Sequence, residues 1–340
     1  MTTVRRANLR RTFALLGAAV AVLGLFAAGC SRFRSGTLGA RDDLALVPRE
    51  TAGVFMLNLK QARSSRLFQK LTESRDKDPV AKKEYQDFIA RCGFDPLQEV
   101  DSLFLALPEN AQDSREYAVL LRGHYRPDLI ATCAQKTAQE TGKQLTESEY
   151  GGIKMAAMQP QGPYLAVLGK RAVAIAGQVW IRKVIDLHTG KASVNDSARD
   201  NQQLQTLFRR TRTGDAFFWA GRTSAAMAER LRGWPQLGAA GSLQSTSGSV
   251  DVSAGLGVHA DLDLGSEGDA ASIVQAANTQ LAGLKQDPRL QMFGVTSYLD
   301  TVRFSSQKNT VAFDLHMTAA QLDDLTTRLS GILKSAGLGF

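Results

Sequence analysis

The chain of 340 residues has a formal net charge of +8, with 44% hydrophobic and 22% charged residues. Four of its 41 Lys and Arg, and none of its 33 Asp and Glu, fall within residues 1–29, so residues 30–340 carry a net charge of only +4. This balance does not favour nucleic-acid binding, and the length is enough for one large domain or two ordinary ones.

The first 29 residues have the three-part pattern of an export signal. A basic head with four arginines comes first, an uncharged apolar run over 12–26 follows, and small residues end the segment. This order predicts a secretory signal peptide over residues 1–29. A retained transmembrane anchor is the alternative, because the uncharged run from Thr12 to Gly29 is at the lower edge of the length that spans a bilayer, typically roughly 20 residues. Arg10-Arg11 also matches twin-arginine export, although an ordinary basic head explains the same residues.

The end of this segment, Ala28-Gly29-Cys30, resembles the lipobox of bacterial lipoproteins, with Ala27 where leucine is more usual. The resemblance implies cleavage before Cys30, a diacylglyceryl group on its thiol and a further acyl chain, such as palmitate, on the freed amine. Two or more chains anchor a protein stably where one does not. Ser31 follows, where aspartate would imply retention in the inner membrane. We therefore expect a lipoprotein on the outer membrane, facing the periplasm.

Two further cysteines, Cys92 and Cys133, remain once Cys30 is acylated. An even number in an oxidising compartment predicts a disulfide, which would stabilise the fold by about 4 kcal/mol on the chain-entropy estimate. Two buried free thiols are the alternative. The spacing matches neither a CxxC redox site nor a zinc site.

Four segments follow the signal peptide. Residues 30–46 are polar and predict a flexible tether behind the lipidated cysteine, and 196–214 predict a connecting helix or linker between module 1 (47–195) and module 2 (215–340). In module 1 the pattern predicts strands at 53–59, 100–107, 117–125, 152–158, 164–168 and 171–176, and helices at 61–73, 79–92, from Pro127, and at 179–188.

A similar order of elements recurs in module 2. Strands are predicted at 215–221, 249–256, 257–264, 297–305 and 310–317, with helices from Thr223, after Ser266 and from Thr318. Capping boxes begin the last two helices, Ser266 with Asp269 and Thr318 with Gln321. The two halves are offset by 139 or 140 residues, which indicates a repeat of elements, with chance agreement of a common pattern as the alternative.

Polar and apolar residues alternate along the strands, for example through Val258, Ala260 and Leu262. Alternation predicts antiparallel sheet with one wet face. We expect an α+β fold with two similar modules of antiparallel sheet and helices packed on one face. The organisation resembles uncharacterised bacterial lipoproteins that begin with a P-x-x-T-x-x-V strand, here Pro48–Val54, and carry a Cys-Gly-Phe-Asp-Pro turn, here 92–96. That resemblance implies no known activity.

One group of residues in module 2 has the chemistry of a metal site. His and Asp ligands in a mixed set suit zinc, manganese or iron if the two strands that carry them are neighbours. An ordinary polar sheet face is the alternative. The group consists of His259, Asp261 and Asp263 on one strand and Asp314 and His316 on another.

Nucleophile-elbow and phosphate-loop motifs are absent from the sequence. We therefore expect a membrane-anchored envelope lipoprotein with a non-catalytic binding or structural role and no cofactor. Its partners would be the membrane, through Cys30, and an envelope protein, peptidoglycan or lipid, but not nucleic acid. A hydrolase or metal-binding enzyme, with its site on the sheet face of module 2, is the alternative.

Overall fold

The computed structural model describes residues 40–158, 162–232 and 235–335. In this part of the chain, all the strands belong to one antiparallel sheet. They are β1 (Thr51–Asn58), β2 (Val100–Pro108), β3 (Ala118–Gly123), β4 (Thr146–Tyr150), β5 (Ile153–Ala157), β6 (Tyr164–Val167), β7 (Ala172–Ala176), β8 (Phe217–Arg222), β9 (Ser245–Asp251), β10 (Gly255–Asp263), β11 (Val302–Gln307) and β12 (Thr310–Thr318). Their order across the sheet is β11-β12-β10-β9-β8-β1-β2-β3-β7-β6-β5-β4.

Helices connect and flank these strands. They are α1 (Ala40–Leu44), α2 (Leu59–Ala62), α3 (Arg66–Lys77), α4 (Pro79–Cys92), α5 (Pro96–Glu99), α6 (Ala111–Ser114), α7 (Pro127–Glu140), α8 (Gln178–Thr189), α9 (Gln202–Arg210), α10 (Ala225–Arg232), α11 (Glu267–Gln286), α12 (Pro288–Met292) and α13 (Ala319–Ser335). The predicted capping box at α13 is confirmed, since the Thr318 backbone N–H donates to the Gln321 side chain and the Gln321 N–H donates to the Thr318 hydroxyl.

Strands β1 and β8 pair antiparallel at the centre, and the same strand order extends outward from each of them. On one side the order is β1-β2-β3-β7-β6, and on the other it is β8-β9-β10-β12-β11. The first half adds the hairpin β4–β5, which pairs onto β6. The halves thus share one continuous sheet, while the boundaries proposed for two modules stay a prediction.

The front face of the sheet, as we name the face that carries Val54, Phe104 and Leu120, is covered by helices over its first half. Helices α1, α8 and α9 bury their apolar sides against it. Helix α9 lies in the segment predicted as a connection, and its Leu204 and Phe208 are buried there. Phe208 meets Phe218 of β8 edge to face, with ring centroids 5.3 Å apart.

The back face, which carries Leu57, Leu121 and Val173, also packs against helices. Phe68 of α3, Tyr85 of α4 and Ile130 of α7 join these strand residues in one apolar cluster. In the second half, Leu264 and Val311 cluster with Ala270 of α11. The prediction of α+β antiparallel sheet is confirmed, whereas the helices lie on both faces of the first half instead of one. The apolar strands of that half, such as β3 and β7, have buried residues on both sides and therefore need helices packed on both faces.

Candidate functional site

The front face of β10 and β12 is polar, in contrast to the covered front face of the first half. The alternation along β10 turns Leu262 toward the back-face cluster and His259, Asp261 and Asp263 toward the front. Strand β12 pairs directly with β10. The five predicted ligands therefore lie on two neighbouring strands, as a metal site on this face requires.

Three of the five predicted ligands come together. His259 lies opposite Asp314, and its Nδ1 is 2.8 Å from Asp314 Oδ1. On the other side of the ring, Nε2 is 3.5 Å from Asp261 Oδ1. The His259 side chain is 27% exposed and the Asp314 side chain 53%, so solvent reaches this cluster. The imidazole is thus held between two carboxylates at the surface of the sheet.

Asp263 is drawn into different contacts. Arg210 of α9 donates to both carboxylate oxygens, at 3.1 and 2.5 Å, and the hydroxyls of Ser245 and Thr310 donate to them at 2.5 and 2.8 Å. Burial raises the pKa of Asp263, but these hydrogen bonds outweigh it and hold the pKa below its usual value. Asp263 therefore fastens α9 to β10 through Arg210, which has a structural role there.

His316 lies in the next row of the same face. Its position on β12 is opposite Gly257, and Gly257 is in turn opposite Asp251 of β9. The pKa of Asp251 is lowered by hydrogen bonds from Ser253 and, to a smaller extent, by the charges of Arg212 and His316. In the described parts of the chain, no group of three or more His, Cys, Asp or Glu is placed to hold a metal ion. Metal binding by this face therefore stays a prediction.

A serine completes the row of His259. Ser249 of β9 lies opposite His259, which places serine, histidine and aspartate side by side across three strands. A nucleophilic triad requires a serine hydroxyl that hydrogen bonds to the histidine and reaches substrate. Here Ser249 is only 2% exposed, and the second ring nitrogen of His259 faces Asp261. The row has the composition of a triad without its geometry.

The predicted disulfide is present and joins Cys92 to Cys133. Cys92 is the last residue of α4, which begins at the Asp78 cap with Pro79 in its first turn and ends at Gly93 in a left-handed conformation, φ 73°. Cys133 lies in the middle of α7, which packs against α4 on the back face. The bridge therefore ties two helices across the connection that contains β2 and β3.

A buried ion pair was not predicted. Asp43 of α1 is completely buried and accepts a hydrogen bond from Arg122 of β3, while its second carboxylate oxygen is buried without a hydrogen-bond partner. Burial raises the pKa of Asp43 to about 6, although the Arg122 charge opposes the shift. A single arginine within the apolar run 117–125 was the available signal, since an arginine in a buried strand needs a partner.

The signal peptide, Cys30 and Ser31 lie outside the described residues. Among the helices within those residues, none is long and apolar enough to cross a membrane.

The fold and the site together define an α+β protein, with an open antiparallel sheet, helices on both faces and a polar end to its front face. No protein-family model matches the chain, and no curated protein matches it in sequence. Among solved structures, crystal form I of TP0453 is similar with a TM-score of 0.43 and 10% sequence identity, covering 87% of this chain and 99% of that one. A similarity at this level supports no inference about function.

Proposed function

We propose that this protein is a lipid-anchored protein of the bacterial cell envelope that binds a partner without catalysis. The disulfide between Cys92 and Cys133 carries the proposal. Disulfides of this structural kind persist in oxidising compartments such as the periplasm and are rare in the cytosol of ordinary bacteria. The bridge therefore agrees with an export signal over residues 1–29.

The anchor lies close to the folded body in sequence. Cys30 precedes Ala40, the first described residue, by ten positions. Ten residues extend at most about 35 Å. A lipid on Cys30 would thus hold the body near the membrane surface and leave the polar end of the front face available to other envelope components.

The polar end of the front face supports the binding of a partner more than it supports catalysis. His259 and Asp314 hydrogen bond to each other, and Asp263 is occupied by Arg210 and two hydroxyls. These groups form a fixed polar surface whose internal contacts are already made. Such a surface suits a polar partner, an envelope protein or peptidoglycan, which would meet the exposed carboxylate of Asp314.

A crosslinking experiment in intact cells tests this proposal. A photoreactive residue at position 316, an exposed position on the same face of β12 as Asp314, should capture a partner in the envelope. One at Glu149, on the far edge of the sheet, serves as the matched control. Asp314→Ala should reduce capture from position 316, because it removes the exposed carboxylate that would meet the partner. Equal capture from both positions, or none from position 316, would contradict the proposal.

A metal-binding or hydrolytic site on the same face is the second candidate. The position of His259 between Asp261 and Asp314 favours it, since imidazole and carboxylate are both ligands for zinc and manganese. Stoichiometric metal in the purified protein, lost in a variant with His259→Ala and Asp261→Ala, would support this candidate over the first.

A further inference from the structure

The two edges of the sheet differ in how they are protected. Edge strands expose unpaired backbone N–H and C=O groups, and natural proteins discourage pairing there with charged residues. Strand β4 carries the exposed Glu147 and Glu149 within its five residues. Strand β11, Val-Arg-Phe-Ser-Ser-Gln, carries one charged residue, Arg303, among its six. The β11 edge thus lacks the protection that β4 has.

The strand order points to the same edge. Strand β6 occupies the position in the first half that β11 occupies in the second, and the hairpin β4–β5 pairs onto its outer side. In the second half no described strand pairs with the outer side of β11. The first half therefore contains a strand added antiparallel at the position equivalent to the outer side of β11.

We propose that a second copy of this chain adds to the β11 edge, so that the two β11 strands pair antiparallel around a twofold axis through Phe304. The two sheets then form one continuous sheet across a closed dimer. The proposal does not depend on the binding function proposed above.

The alternation of side chains fixes where the axis passes. Opposing residues in a continuous sheet must share a face, so a twofold axis between antiparallel copies passes through a residue and not between two. An axis at Arg303 would place two guanidinium groups opposite each other, which is destabilising. An axis at Phe304 places the two Phe304 rings opposite each other and Arg303 opposite Ser305 of the second copy. Cross-strand aromatic pairs are favourable, so Phe304 is the preferred centre.

Phe304 already belongs to an aromatic pair on the back face. Its ring centroid is 5.3 Å from that of Phe313 on β12. The ring is only partly buried at the edge of the sheet. Pairing of two copies would extend the pair into a row of four rings and remove apolar surface from water, which is favourable at roughly 25 cal/mol per Å².

The other edge does not offer an equivalent partner. Self-pairing of β4 about Ser148 would place Glu147 opposite Glu149 of the second copy, twice. Pairing β11 with β4 of another copy would place Phe304 on the same face as Glu147 and Glu149, apolar against acidic. The chain therefore favours a closed dimer over the open filament that edge-to-edge stacking of β11 on β4 would build.

One short strand pair buries less than a standard interface, so we expect a dimer that depends on concentration. Charge substitutions at Ser305 test the register, because this exposed residue lies opposite Arg303 of the second copy. Ser305→Arg places like charges opposite each other twice and should raise the dissociation constant roughly tenfold. Ser305→Glu should lower it, and Arg303→Glu combined with Ser305→Arg should restore dimerisation. Sedimentation velocity of the full chain in detergent gives these constants.

Ser148→Arg, at the centre of β4, is the matched control and should leave the dissociation constant unchanged. A second measurement uses crosslinking in lipid vesicles, where Ser305→Cys with a short bifunctional thiol reagent should give dimers and Ser148→Cys should not. Circular dichroism checks that each variant keeps the fold. A monomer at all concentrations, equal crosslinking from both edges, or the same dissociation constant for Ser305→Arg and Ser305→Glu would overturn the proposal.

Discussion

Asp43 shows how one residue fastens the start of the folded body to the sheet, within a segment (30–46) that the sequence predicted to be a flexible tether but that contains the buried helix α1. The side chain is fully buried at the start of the folded body, and Arg122 of β3 donates to one of its oxygens. The neighbouring charge of Asp42 adds to the effect of burial on its pKa. His188, at the end of α8, is influenced by the same arginine, since burial and the Arg122 charge both lower its pKa. An aspartate with a buried, unpartnered oxygen holds its proton to a higher pH than a free aspartate does.

This preference predicts a pH dependence of stability. The pKa of Asp43 is about 6 in the folded state against 3.8 for the free group. The contribution of Asp43 to the free energy of unfolding is therefore fully present below the unfolded pKa. It is lost as the pH rises through the folded pKa, by up to about 3 kcal/mol in total. Asp43→Asn does not titrate, so its free energy of unfolding should fall less between about pH 4 and pH 7 than that of the wild type.

Urea denaturation over that pH range measures the difference. Glu50→Gln is the control, because Glu50 follows Asp43 on the same segment but forms a half-exposed ion pair with Lys183. The control should keep the pH profile of the wild type. If Asp43→Asn has that same profile, the carboxylate does not titrate as the structure indicates.

At the scale of elements, the disulfide decides how firmly α4 and α7 stay together. Both helices bury aromatic and aliphatic residues against the back face, and Phe88 and Phe94 meet edge to face with centroids 5.7 Å apart beside the bridge. The bridge closes a loop between cysteines 41 positions apart, which includes the central strands β2 and β3. It therefore constrains a large part of the unfolded chain.

Cys92→Ser with Cys133→Ser should lower the free energy of unfolding by about 4 kcal/mol on the chain-entropy estimate. Chemical denaturation of the double variant beside the oxidised wild type measures this loss. Reduction of the wild type should reproduce most of it, which separates loss of the bridge from the change of side chain. An unchanged midpoint after reduction would show that the bridge does not stabilise the fold.

For the whole molecule, we predict that the N-terminal segment determines where the body acts. We predict that labelled palmitate enters the wild-type protein and not Cys30→Ala, because the lipid requires the cysteine thiol and the amine freed by cleavage. The mature N-terminus should be residue 30. Labelling of Cys30→Ala, or a mature N-terminus elsewhere, contradicts lipidation at this position.

Sorting provides the control for that experiment. Ser31 should send the lipidated protein to the outer membrane, and Ser31→Asp should retain it in the inner membrane while labelling with palmitate continues. Fractionation on a sucrose gradient separates the two. Recovery of the wild type with inner-membrane markers would contradict the expected location.

The alternation along β10 and β12 was enough to predict both strands and the polar side chains of the front face. The polar strand β4, Thr-Glu-Ser-Glu-Tyr, was not predicted, because its sequence lacks an apolar face and its pairing with β5 holds it in place. The start of β9 at Ser245 was missed for a similar reason, since its serines are buried between neighbouring strands and not on an apolar core. Local pattern identifies strands that bury apolar side chains, and it misses those held by their neighbours.

The sequence by itself determined the α+β class, the antiparallel strands, the partnership of Cys92 with Cys133 and the residue types of the polar face, because each depends on local alternation or on counting. Only the tertiary structure decided that β12 lies beside β10, that Asp263 pairs with Arg210 instead of His259, and that Asp43 is buried against Arg122. These contacts join residues 47 to 79 positions apart. Their formation depends on strand order and helix packing, which are set by the whole chain and leave no mark on the short segments around each residue.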